Sequence, residues 1–94
     1  MRTVEKQTSY RVWLAKPQRF LEYHDLPEEE HISVNRGRLE YGNVRFWNYL
    51  DTRSVANKWR HERAILGLPE EEIFMVSYQL DLSGNWKEVC RNKI

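Results

Sequence analysis

Five consecutive residues, Leu-Pro-Glu-Glu-Glu, occur twice in this chain, at 26–30 and again at 68–72. Sliding the chain on itself by 42 positions superimposes the copies. It also sets Val34 on Val76 and Gly42-Asn43 on Gly84-Asn85, for 8 identities over the 22 positions from Leu26 to Trp47 without a gap. An internal duplication accounts for the match; chance recurrence of common turn residues is the alternative. Pro suits the first position of a helical turn, and Glu suits its electropositive N-terminal end. Each copy therefore reads as a short acidic turn that passes the chain from a helix to a strand, a Gly-Asn turn and a second strand. A metal site built from these six Glu is disfavoured, because consecutive Glu side chains point in different directions.

Two α-β-β units after an opening strand generate the order β-α-β-β-α-β, the split pattern of ferredoxin-like domains. The expected fold is thus α+β. An antiparallel sheet carries two helices on one face, a C-terminal strand is added at an edge, and the other face is left open. Ninety-four residues suffice for one domain with one modest core, and residues 1–8 read as a loose lead.

The elements follow from periodicity and punctuation. The stretch 10–15, YRVWLA, alternates, with Tyr10, Val12 and Leu14 on one face. Pro17 opens an expected helix over 18–24. After the first acidic turn, Ile32 and Val34 start a strand that 35–37 interrupts. Gly42-Asn43 then predicts a hairpin pairing Tyr41 with Val44, Glu40 with Arg45, Leu39 with Phe46 and Arg38 with Trp47. The main helix is expected over 52–66, capped by Asp51 or Thr52 and ended by Gly67 and Pro69. Val55, Ala56, Trp59 and Leu66 form its core stripe. Phe74, Val76, Tyr78, Leu80 and Leu82 alternate without a break. A three-residue turn, 83–85, sets Leu82 against Trp86 and Asp81 against Lys87. The last strand, 86–91, is an edge protected by Lys87 and Arg91.

Composition narrows the functional classes. Fifteen basic and 14 acidic side chains leave a net charge of +1, so bulk charge does not hold this chain to nucleic acid. The single cysteine, Cys90, forms no internal disulfide and is expected to pack inertly. With no secretory leader and no long apolar run, a cytoplasmic setting without membrane association is expected. His24, His31 and His61 lack helical ligand spacing, and no phosphate loop or nucleophile elbow occurs. Catalysis is therefore the weakest reading, and neither metal nor cofactor is expected.

The open sheet face carries the functional argument. If Tyr10, Val12, Leu14, Val44 and Phe46 point to the helices, then Arg11, Trp13, Arg45, Trp47 and Tyr49 point away, with Arg38 alongside. Trp, Tyr and Arg dominate binding hot spots. The favoured expectation is a small protein-binding module, an adaptor or inhibitor, or a homodimer formed through this face. Such a motif-free chain would suit a phage or mobile element. Single-stranded nucleic acid, stacking on the same rings, is the alternative. The RNA-recognition domain uses this face of this topology, but GNVRFWNY lacks its basic-Gly-aromatic-small-aromatic signature. Burial under the chain's own termini is the third. Arg53 and Arg60 mark a secondary basic patch on the helix.

Overall fold

The computed structural model describes residues 7–16, 18–25, 37–69 and 72–94. They form one antiparallel sheet of six strands and one α-helix. The strands are β1 (Thr8–Leu14), β2 (Arg19–Phe20), β3 (Gly37–Glu40), β4 (Asn43–Phe46), β5 (Ile73–Leu80) and β6 (Trp86–Lys93), and the helix α1 is Tyr49–Ile65. The main path across the sheet is β3-β4-β1-β5-β6. On its other side β1 is shared, with β4 opposite Tyr10 and the two-residue β2 opposite Trp13 and Leu14.

The ferredoxin-like expectation is overturned at the first helix. Residues 18–24 form β2 and then a 3-10 turn, Tyr23–Asp25. A seven-residue helix recovers little for its costly nucleus. Folding back instead lets Leu21 donate its N–H to the Val12 carbonyl at 2.7 Å and bury its side chain completely. Arg19 closes the turn with a forked pair of bonds to Asp25, at 2.6 and 2.9 Å. An α-β-β unit therefore occurs once among the described residues, not twice. The first LPEEE and the expected strand at Ile32 and Val34 lie outside the described residues. So do Glu70 and Glu71 of the second copy. The aligned Gly-Asn pairs also differ, one in a tight hairpin and one in a five-residue loop.

The first hairpin turns one residue earlier than expected, which moves each residue's partner by two positions. Glu40 pairs with Asn43, Leu39 with Val44, Arg38 with Arg45 and Gly37 with Phe46. The two-residue turn is Tyr41-Gly42, with φ of +52° and +85°. A type I′ turn needs positive φ at both central positions. Glycine meets that demand best at the second, which fixes Gly42 there and leaves Asn43 in the strand. The second hairpin also closes earlier than expected, with Leu80 opposite Trp86 and Gln79 opposite Lys87. Its loop, 81–85, is organised by the Asp81 carboxylate, which accepts from the Ser83 and Asn85 N–H groups.

Helix α1 starts three residues before its expected position. Asn48 is the N-cap, its side-chain oxygen accepting from Leu50 N–H at 2.8 Å and Asp51 N–H at 3.2 Å. At the other end Gly67 adopts φ +72°, and the N–H groups of Gly67 and Leu68 bond the carbonyls of Ala64 and Arg63. This is the Schellman arrangement that terminates a helix. Thr52, Val55, Ala56 and Trp59 are buried. Leu66 is 73% exposed rather than in the core stripe, because the helix has already ended at that point.

The core lies between α1 and one sheet face, where Val55, Ala56 and Trp59 meet Val12, Leu14, Leu21, Val44, Phe46 and Ile73. Each buried Val, Leu, Ile or Phe among them contributes roughly 1.5–3 kcal/mol by leaving water. Thr8, placed in the expected lead, belongs to β1, and residues 1–6 lie outside the described residues. Cys90 is exposed on β6 rather than packed. No described helix is long and apolar enough to cross a membrane.

Candidate functional site: an arginine–aromatic sheet face

Opposed residues of antiparallel strands share a face, so the register assigns the second side of the sheet. Arg11 faces Val76, Trp13 faces Phe74, Ser9 faces Tyr78, Leu80 faces Trp86 and Arg38 faces Arg45. The alternating stripe of β5, Phe74, Val76, Tyr78 and Leu80, therefore lies on the side away from α1. Leu82, expected to continue it, is fully exposed in the following loop. Ile73 and Met75 supply the α1 side instead.

Ring faces on this surface are covered by guanidinium groups. Arg45 lies 4.9 Å from the ring centres of both Tyr78 and Trp86. Arg11 lies 5.3 Å from Phe20 and 5.7 Å from Tyr78. Arg38 sits over Trp47 at 5.7 Å and Arg91 over Trp13 at 5.0 Å. Trp13 meets Phe20 edge-on at 4.9 Å, and the rings of Trp47 and Trp86 lie 6.1 Å apart. Attraction between a cation and a ring face is worth about 0.5–2 kcal/mol and grows as water is excluded. Trp47 and Trp86, with Gln7 and Thr8, line a cleft of about 350 Å³ at one end of the face.

One carboxylate organises the arginines. Glu40 Oε2 accepts from Arg11 Nη2 at 2.5 Å and from Arg45 Nε at 3.0 Å. Its Oε1 accepts from Arg38 Nε at 3.1 Å and also from Arg38 Nη2. Arg45 is only 4% exposed, and its Nη1 donates to Ser9 Oγ at 2.6 Å. Burial alone would raise the Glu40 pKa. The hydrogen bonds from Arg38, Arg45 and Arg11, with the charge of Arg45, outweigh it and lower the group to about 2. Burial also raises the Tyr78 phenol, against the neighbouring arginines.

Of the residues expected on this face, Arg11, Trp13, Arg38, Arg45 and Trp47 are brought together on it. Tyr49 is not. It occupies the first turn of α1 and packs edge-on against Tyr10 at 5.9 Å, on the opposite side of the sheet. Arg53 and Arg60 are on α1 as well, so they are not continuous with the sheet arginines. Arg53 is exposed, while Arg60 is half-buried and donates to the Ile94 carbonyl.

Sequence reasoning missed Glu40 as the hub, and Tyr78, Trp86 and Arg91 as members. The expected hairpin already set Glu40 opposite Arg45; what it did not contain was the β1–β4 pairing that brings Arg11 to the same carboxylate. The others were missed because the sequence reading assigned no face to the β5 stripe or to the last strand. The signal was present in the alternation of Phe74, Val76 and Tyr78, which has the same period whichever face it serves. No cluster of three or more metal-ligating side chains occurs among the described residues. No protein-family model, curated protein or solved structure matches the chain.

Proposed function

We propose that this chain is a small cytoplasmic protein-binding module, an adaptor or inhibitor, whose contact surface is the arginine–aromatic sheet face. The observation that carries the reading is the layering of guanidinium groups on ring faces, with partly buried tryptophans at its rim. Tryptophan and arginine are the side chains most often responsible for interface energy. Rings already held by stacked arginines lose little freedom on docking, which reduces the cost of binding. The cleft between Trp47 and Trp86 could take one apolar side chain of a partner.

The test is capture from source-cell extract, with and without nuclease. Replacing Trp47 and Trp86 together by Ala should abolish capture of a protein partner while the far-ultraviolet circular dichroism stays native. Undiminished capture by the double variant would sink the reading. A second reading, single-stranded nucleic acid, draws on the exposed Arg38 stacked over Trp47, a pair that could hold a base and its phosphate. Capture lost on nuclease treatment, together with quenching of tryptophan fluorescence by oligonucleotides, would favour it.

A further inference from the structure

We infer that the partner segment docking on this face is acidic, and that the exposed Arg38 receives its carboxylate while the more buried Arg11 and Arg45 supply positive charge from beneath. This rests on the protein-interface reading above and adds the chemistry of the partner.

Three guanidinium groups converge on one carboxylate, leaving a local surplus of two positive charges. Glu40 cannot take up more donors. A carboxylate has about four acceptor positions, and four N–H donors already point at its two oxygens. Each guanidinium has five N–H donors, so donors outnumber acceptors here. Arg11 Nε makes the shortage visible, being buried without a hydrogen-bond partner. The surplus is also reachable, since the Arg38 side chain is 57% exposed at the rim.

Among the described residues of β6, the neighbouring cations are already paired. Arg91 is paired with Glu88 at 2.9 Å, Lys93 with Glu72 at 3.0 Å and Lys87 with Asp81 at 3.6 Å. A nucleic-acid backbone needs successive cationic sites along its track, and here the flanking cations are already neutralised. A compact carboxylate group matches a surplus of two charges. Arginine also binds carboxylates through two parallel bonds, which adds orientation to charge.

Hexaglutamate and an oligothymidylate carrying six phosphates are suitable probes, titrated at low ionic strength and followed by tryptophan emission. Hexaglutamate should bind saturably and more tightly than the oligonucleotide. Arg38→Gln, at an exposed position, should weaken it at least fivefold with the fold intact. Lys93→Gln, the same charge change outside the cluster, should alter it less than twofold. Glu40→Gln removes the internal competitor and should tighten binding. If that variant fails to fold, the Arg38→Gln against Lys93→Gln contrast decides alone. Absence of hexaglutamate binding, equal loss in both charge variants, or tighter oligothymidylate binding overturns the inference. If the tryptophan double variant still loses its protein partner in any of these cases, the interface reading stands and only the acidic partner is refuted.

Discussion

The two sides of this sheet are built from the same strands yet differ in kind. On the α1 side Val12, Leu14, Val44, Phe46 and Ile73 are sealed by a helix, and aliphatic contact does the holding. On the other side arginines lie across aromatic rings and are gathered by one glutamate. The first side gains from excluding water and has no directional demand. The second is held by charge and geometry, so it depends on pH and salt. Alternation along a strand makes both from one stretch of chain. Arg45, between Val44 and Phe46, belongs wholly to the second side.

This contrast can be broken most severely at Phe46. Phe46→Ala should cost about 3–5 kcal/mol, read as a lowered denaturant midpoint, because the ring is fully buried under α1. A loss no larger than that of a surface substitution would show that α1 does not cover the main core.

Glu40 comes next. Glu40→Gln leaves Arg45 buried beside two other guanidiniums without a counter-charge, and should cost about 2–4 kcal/mol. The same group makes a pH prediction. Its pKa is lowered on folding from the ordinary 4.5 to about 2, so its stabilisation is complete above 4.5 and is lost as the pH falls toward 2. Asp25, also lowered despite its burial by its bonds from Arg19 and the Glu22 N–H, contributes in the same direction. Urea titrations of wild type should show falling stability over this interval. Glu40→Gln should flatten that slope, and an unchanged slope would remove Glu40 from the account.

Asn48→Ala removes the N-cap of α1 and should cost about 1 kcal/mol by thermal melting, with the Arg–Trp side unaffected in hexaglutamate titrations. Coupling of the two would mean that the faces are not independent. Trp47→Ala should have the smallest effect on stability, about 1 kcal/mol or less, yet a decisive one on partner capture. A large loss of stability would recast the Arg–Trp side as a second core.

Much of this is legible in the sequence. The alternation of 10–15 identifies β1 and sorts Val12 from Trp13. Gly67 marks the end of α1, and Gly42 marks a hairpin. What could not be read was which neighbour each strand would take. Residues 18–24 had no strong local preference, and the burial of Leu21 against Val12 decided for a strand. Tyr41 at positive φ is unfavourable by local rules, and only the pairing of Glu40 with Asn43 requires it. Tyr41→Asn, which suits that conformation better, should stabilise the hairpin by about 0.5–1 kcal/mol, measurable as a raised melting temperature.

The duplicated pentapeptide shows the limit most clearly. Equal letters predict equal local turns, but the stretch before one copy became β2 and a 3-10 turn, and the stretch before the other became a 17-residue helix. By itself the sequence determined the alternation, the helix stop, and a set of aromatic and arginine residues destined to share a face. Only the tertiary structure decided that Glu40 would sit among Arg11, Arg38 and Arg45. Those residues are up to 34 positions apart, and a charge cluster assembled across three strands leaves no trace in the local spacing of any one of them.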